Sequence, residues 1–197
     1  MKAGRPVAGF AVLILFLILA APAPAEELLL SLAAGNFFAS QGAYREVYGS
    51  SVSISADLWL KLKGPFGLAV GYGWVGDTGL AVPMDGGDAE YPVKFRRTSV
   101  PVVVFYQIDV KPVEVRLGAG LGIHRFKETW QTVDLGFSGH KVSARFVLTA
   151  SVALLDRLSL LGSLTYDTIR TGAGSPLAVD VNLGGFQLLG GVAFRIF

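Results

Sequence analysis

The chain has 197 residues, of which 52% are hydrophobic and 16% charged, with 25 glycines, no cysteine, and 17 Lys+Arg against 15 Asp+Glu. The lack of cysteine excludes a disulfide scaffold, a thiolate metal site and a lipoprotein anchor, and two histidines alone make no metal signature. The slight basic excess resides in Lys2 and Arg5.

Residues 1–25 read as a cleavable signal peptide. Lys2 and Arg5 form a basic n-region, Val7 to Ala21 form an apolar run, and Ala23-Pro24-Ala25 supplies the small-x-small cleavage pattern, with cut expected before Glu26. Fifteen apolar residues fall short of the ~20 that a spanning helix needs. Removing the segment leaves 15 basic against 15 acidic residues, so the whole-chain charge is no argument for a nucleic-acid partner, and none is expected. Residues 26–197 form a single predicted domain.

Within that domain, half-apolar segments of strand length recur eight times. The first, Leu28 to about Phe38, is not cleanly patterned. The second alternates with period two: Val52, Ile54, Ala56, Leu58, Leu60 and Leu62 on one side, and Ser51, Ser53, Ser55, Asp57, Trp59 and Lys61 on the other. After Gly64-Pro65, Phe66, Leu68, Val70, Tyr72 and Trp74 face one way and Gly67, Ala69, Gly71 and Gly73 the other. The fourth, roughly Val93 to Ile108, is apolar on both faces in its middle. It is placed with Val100, Val102, Val104 and Tyr106 outward, which puts Lys94, Arg96 and Thr98 outward at the mouth. In the fifth, Val113, Val115, Leu117, Ala119, Leu121 and Ile123 alternate with Glu114, Arg116, Gly118, Gly120, Gly122 and His124. In the sixth, Val142, Ala144, Phe146, Leu148, Ala150, Val152 and Leu154 oppose Lys141, Ser143, Arg145, Val147, Thr149 and Ser151. The seventh runs from Leu158 to about Ile169, and the eighth carries Phe186, Leu188, Val192, Phe194 and Ile196 in one phase.

The connections alternate in length. Gly64-Pro65, Asp109 to Pro112 and Asp156-Arg157 are short, whereas residues 39–50, 77–92, 127–140 and 170–180 are predicted as long polar loops. Turns at one end and loops at the other are the pattern of an outer-membrane barrel, and put both termini on the short-turn, periplasmic side. The predicted fold is all-β: an eight-stranded up-and-down antiparallel transmembrane β-barrel in the cell outer membrane. A soluble lipocalin-like barrel would also have eight antiparallel strands, with its apolar face inside. Alternation alone does not choose between the two. The loop asymmetry and the glycines that share the charged face favour the membrane assignment, because a narrow interior suits glycine mixed with paired charges.

The run PVVVFYQIDVKPVEVRLGAGLGIHRFKE, with Gly118, Gly120 and Gly122, resembles the central hairpin of small Gram-negative outer-membrane barrels of the OmpA/OmpW/OmpX-like superfamily. NFFASQGAYREVYG, residues 36–49, is similar to an outer loop entering strand two of such proteins. The resemblance implies a terminal Phe recognised by the barrel-assembly machinery, and Phe197 matches. Arg195 departs from the apolar phase usual there. Either strand eight closes in the phase of Phe194 with Phe197 just beyond, or a bulge shifts the register.

Asp57, Lys61, Glu114, Arg116, Lys141, Arg145 and Arg195 are expected to face the interior and pair there, because a charge in a narrow lumen must be paired or hydrated. Asp57 and Glu114 are matched with Lys61, Arg116 or Arg195, and Lys141 and Arg145 lie nearer the outer mouth. His124, with Ser138, Ser143 and Glu128 near in sequence, is the best acyl-transfer constellation available, though no pattern ties it to a serine on the adjacent strand. The aromatics Tyr72, Trp74, Phe95, Tyr106, Phe126, Trp130, Tyr166 and Phe194 read as interfacial belts. Asp77, Asp85, Asp88 and Glu90 form an acidic outer loop, read first as simply solvated, with divalent cations bridging lipopolysaccharide phosphates as the alternative. No catalytic residue, cofactor or metal is assigned. The expected role is a non-enzymatic contribution to envelope integrity or surface interaction through the extracellular loops. A narrow solute channel and a lipid A-modifying acyl hydrolase are the alternatives. Outer-membrane lipids, lipopolysaccharide and the assembly machinery are the expected partners, and one chain suffices to close the sheet.

Overall fold

A computed structural model describes residues 25–81, 91–132, 135–171 and 181–197. The strands are β1 (Ala25–Ala39), β2 (Ser51–Leu62), β3 (Phe66–Ala81), β4 (Tyr91–Val110), β5 (Val113–Trp130), β6 (Leu135–Leu155), β7 (Leu158–Thr168) and β10 (Gly185–Arg195). One short helix, α1 (Gly42–Tyr48), follows β1, and two-residue strands β8 (Arg170–Thr171) and β9 (Val181–Asn182) pair only with each other. The eight long strands are antiparallel and hydrogen-bonded in the order β1-β10-β7-β6-β5-β4-β3-β2, a ring in which β1 pairs with both β2 and β10. The signal segment expected over residues 1–25 lies, apart from Ala25, outside the described residues.

Period-two alternation becomes two faces of the ring. Leu32, Ile54, Val104, Leu117, Leu121, Phe146 and Leu188 are exposed on its outside, while Arg97, Arg116, His124, Arg145, Asp167 and Gln187 are buried inside. The inverse arrangement of a soluble carrier is therefore not the one adopted. Leu58 and Val70, register partners on the outward phase, are themselves buried. The outward face of β4 follows Val102, Val104 and Tyr106, with Val103 and Phe105 inside, which settles the strand that the sequence left two-sided. On β5 the outward apolar run reaches from Val113 to Ile123. Ten residue steps at ~3.3 Å, tilted by ~40°, give a belt roughly 25 Å tall.

Several expected loops are strand instead. β5 continues to Trp130 and β6 begins at Leu135, so most of the predicted loop 127–140 is a ladder running from Arg125↔His140 to Trp130↔Leu135. β3 and β4 likewise pair as far as Ala81↔Tyr91. The polar outer residues concealed a regular inner phase: Phe95 and Phe126 are buried and Phe137 and Trp130 pack against them, so the extension has a core of its own. Phe95, Phe126 and Trp130 thus belong inside rather than to a lipid-facing belt. Tyr106 with Phe66, edge to face, and Tyr166 with Phe186, tilted, do pair on the outside, at centroid separations of 5.2 and 4.6 Å. Asp85, Asp88 and Glu90 lie outside the described residues.

At the other end β10 closes without a register shift against β1 or β7. Phe194 faces outward, Arg195 inward, and Phe197 lies just past the strand with its carbonyl accepting the Leu28 N–H at 3.0 Å. Of the two possible endings, the chain takes the unbulged one.

Candidate functional site

The interior is stacked in layers along the axis. At the short-turn end an open vestibule of about 700 Å³ is lined by Glu26, Glu27, Lys61, Asp109, Lys111, Glu114 and Arg195. Arg116 closes its floor. Its guanidinium donates to Glu114 at 2.7 Å, Gln107 at 3.0 Å and Ser151 at 3.3 Å, so its charge is matched on several sides. Arg195 pairs with Glu27 and lies 3.6 Å from Glu114, while Lys61 lies 3.9 Å from both Glu26 and Asp109. The second layer is apolar: Leu29, Trp59, Ala69, Val103, Phe105 and Val147. Trp59 meets Phe105 edge-on at 5.3 Å and donates its indole N–H to Ser31 at 3.0 Å. That bond satisfies the one polar group a buried Trp carries.

Above it Asp57 lines a cavity of about 30 Å³, enough for about one water, together with Ser55, Gly71, Arg145 and Thr165. Asp57 was expected to pair with Lys61, Arg116 or Arg195. It lies instead a full layer away from them, with Trp59 between, and no ion pair joins it to any of the three among the described residues. Gly71 makes room for it, since a Cβ there would collide with the Asp57 carboxylate.

The third polar layer is the most buried. Asp167 has no solvent exposure and receives both ends of the Arg145 guanidinium, at 2.7 and 2.8 Å, in a forked pair. The Gln187 amide donates to the same carboxylate at 3.1 Å, and Ser53 in turn donates to Gln187. Arg97, 1% exposed, sits 3.7 Å from Asp167, donates to the Leu183 carbonyl at 2.8 Å, and lies 4.2 Å above the Phe37 ring. Sequence reasoning missed both Arg97 and Asp167. The signal was present: with Val102 and Tyr166 outward, parity puts both inside.

His124 and Ser143 come together across β5 and β6, with 2.8 Å between Nε2 and Oγ. The geometry is not that of a hydrolase. The Asp167 oxygen approaches the same Nε2 at 3.7 Å, whereas Nδ1, which a triad carboxylate must hold, has no partner among the described residues. His124 is also wholly buried and Asp167 is committed to two arginines. Glu128 serves elsewhere, accepting from Tyr48 and Trp130 at 2.9 Å each. Lys141 shares the inward phase yet is exposed: β7 pairs with β6 only as far as Ala144↔Thr168, so Lys141 has β5 on one side and no β7 partner on the other. Among the described residues no cluster of His, Asp and Glu fits a metal ion.

The outer mouth is covered by α1, which lies over the ring with Tyr44 and Tyr48 packed against Phe37, Val75, Phe95, Phe126, Ile169 and Leu183. Tyr44 shares a hydrogen bond of 3.0 Å with Ser51, and the helix ends at Gly49, whose φ of 62° lets its N–H return to the Arg45 carbonyl. Gln41, which precedes the helix, accepts from the Asn182 N–H at 2.9 Å and so ties the cap to β9. Burial pushes both phenols above their ordinary titration range, with the Glu128 carboxylate adding to the effect at Tyr48.

No protein-family model matches the chain, and neither does any curated protein sequence. Solved structures do share its fold. Neisserial surface protein A is 19% identical with a TM-score of 0.58, over 85% of this chain and 95% of that one. A major outer membrane protein from Thermus thermophilus is 16% identical with a TM-score of 0.64, over 86% and 98%. Ail, the attachment invasion locus protein of Yersinia pestis, crystallised with the heparin analogue sucrose octasulfate, is 10% identical with a TM-score of 0.55, over 86% and 97%. The chain is thus an eight-stranded antiparallel protein of the architecture seen in outer-membrane barrels.

Proposed function

We propose that the mature protein is a closed transmembrane β-barrel of the outer membrane with a plugged lumen, working without catalysis in envelope integrity or in contacts made by its outer loops. The observation that carries this reading is the layered interior. A forked Arg145–Asp167 pair, a Trp59–Phe105 layer and the α1 cap lie in series across a ring too narrow to leave a path around them. An exposed apolar belt of about 25 Å fits the hydrocarbon thickness that such barrels cross, and aromatic pairs at its edges suit the headgroup level. The Asp57, Lys61, Glu114, Arg116, Arg145 and Arg195 side chains serve here as interior filling that holds opposite walls together. Phe197 serves as the terminal aromatic read by the assembly machinery, and lipids with lipopolysaccharide surround a single chain. Ail supports a surface-contact role by analogy only, through the sulfated ligand in its own structure.

The test is electrical. Protein refolded into planar bilayers, with faster gel migration before boiling as proof of folding, is expected to show no stepwise conductance above that of the bare membrane. Reproducible unitary steps from gel-verified folded protein would favour the narrow-channel alternative and overturn the plugged reading.

A further inference from the structure

Directly above the apolar belt, the outward phase of β4, β5 and β6 changes character. The uppermost apolar row is Val100–Ile123–Val142; two residues further out comes Thr98–Arg125–His140, then Arg96–Lys127–Ser138, then Lys94–Thr129–Gly136. Lys94, Arg96, Arg125 and Lys127 are all exposed and none joins an ion pair with a described carboxylate. Arg96 and Lys127 stand directly opposite each other across the ladder, with Arg125 and Lys94 at the diagonals. Like charges so placed repel, and a folded sheet normally avoids them. Here four are gathered on rigid strands while the described acidic side chains of the same stretch, Asp77 and Glu128, fall on the inner phase.

We infer that this wall of β4 and β5 binds the phosphate groups of lipid headgroups in the outer leaflet. The inference rests on the outer-membrane reading above and names the partner of that surface. Continuity decides the occupant: the basic rows begin one register step beyond the belt, at the height where headgroups meet the hydrocarbon, and they lie on the face that lipid covers. A phosphate between Arg96 and Lys127 cancels their repulsion and can take a forked pair of bonds from the guanidinium, with Thr98, Thr129 and Ser138 offering hydroxyls beside it. A wall with no carboxylate among its described outward residues, facing a phosphate-rich leaflet, is complementary in sign.

The experiment compares diphosphoryl lipid A with its dephosphorylated form, binding each to the full-length folded protein in neutral detergent and counting retained lipids by native mass spectrometry. The expected result is preferential retention of the phosphorylated form, weakened by added salt, and a loss of about tenfold or more in affinity for Arg96→Glu/Lys127→Glu. The charge-conserving pair Arg96→Lys/Lys127→Arg should keep most of it, and Lys141→Glu, exposed but off this wall, should change little. Folding of each variant is read from gel migration before boiling. Equal retention of the two lipids, or an equal loss with Lys141→Glu, would overturn the site while leaving the barrel reading intact. A preference for a soluble sulfated sugar without any for phosphorylated lipid would reassign the wall to glycan and also overturn it. Failure of the wild-type chain to enter vesicles at all would instead remove the outer-membrane reading.

Discussion

Asp167 is the residue on which most of the interior depends. Two guanidiniums, an amide and the ring of His124 converge on its carboxylate without access to water. Removing its charge leaves Arg97 and Arg145 buried together with no other carboxylate at ion-pair distance among the described residues, and breaking a buried pair from one side costs about 3–5 kcal/mol. Asp167→Asn is therefore expected to lower the unfolding free energy of the refolded protein, read from urea titration, by that much. Asp57→Asn should cost clearly less, because no guanidinium is hydrogen-bonded to Asp57 among the described residues. Glycine gives a second residue-scale contrast. A Cβ on Gly122 would stand 2.5 Å from His124 Nε2, whereas one on Gly162 would meet nothing within 4 Å. Gly122→Ala is expected to destabilise by about 1–3 kcal/mol and Gly162→Ala by no more than about 0.5 kcal/mol. Equal effects in the same urea titrations would refute the assignment of one to the lumen and the other to the outer wall.

Among the elements, α1 carries a pH dependence of its own at the outer mouth. Tyr44 and Tyr48 are held neutral by burial, with folded-state values above the ordinary 10. An acid whose value is raised on folding contributes stability that is complete below its unfolded value and is lost as pH rises through the folded one. The cap should hold unchanged up to about pH 10 and loosen only beyond it. Ultraviolet titration of tyrosinate is expected to show a late phase from Tyr44 and Tyr48. Tyr44→Phe/Tyr48→Phe should remove that late phase alone. Ionisation of Tyr44 and Tyr48 near pH 10 would mean that the cap is open in solution. The extension of β3–β6 belongs to the same scale: its inner aromatics pack against α1, so Phe126→Ala should increase hydrogen exchange in α1 and in the outer ends of β5 and β6 together.

At the scale of the whole molecule the layers act in series. Replacing residues 42–48 with a flexible Gly-Ser segment removes the outer cover but not the Arg145–Asp167 or Trp59–Phe105 layers. Bilayer recordings of that variant are expected to remain silent, and unitary steps on removal of the cap alone would show that the inner layers do not seal. Closure itself links distant parts of the chain: β1 meets β10 over eleven register pairs, from Leu29↔Arg195 to Ala39↔Gly185. Arg195 then reaches Glu27 and Glu114 across the vestibule. Such pairings are non-local, which makes the ring slow to form unaided.

Alternation divided the clearly patterned strands into two faces, because a residue's side of a strand is set by parity and needs no knowledge of its neighbours, while the alternating connection lengths gave the up-and-down order and, with the glycines on the charged face, which face is the inner one. The inward course of Arg116, Arg145 and Arg195 was legible on that ground, and parity would have shown Arg97 and Asp167 as well. Parity does not say how far a neighbouring strand extends, so Lys141 was placed inside although β7 stops short of it. Nor does it reveal partners: Asp57 and Lys61 share a strand face but lie in layers separated by Trp59. The seven-residue α1 is too short for a helical period to show in the sequence, and the inner phase of the outer extension was hidden by its polar outer phase. Those features were decided by tertiary structure, since which charges meet and which aromatics close the mouth depends on the stagger between strands, and stagger exists only once the ring has closed.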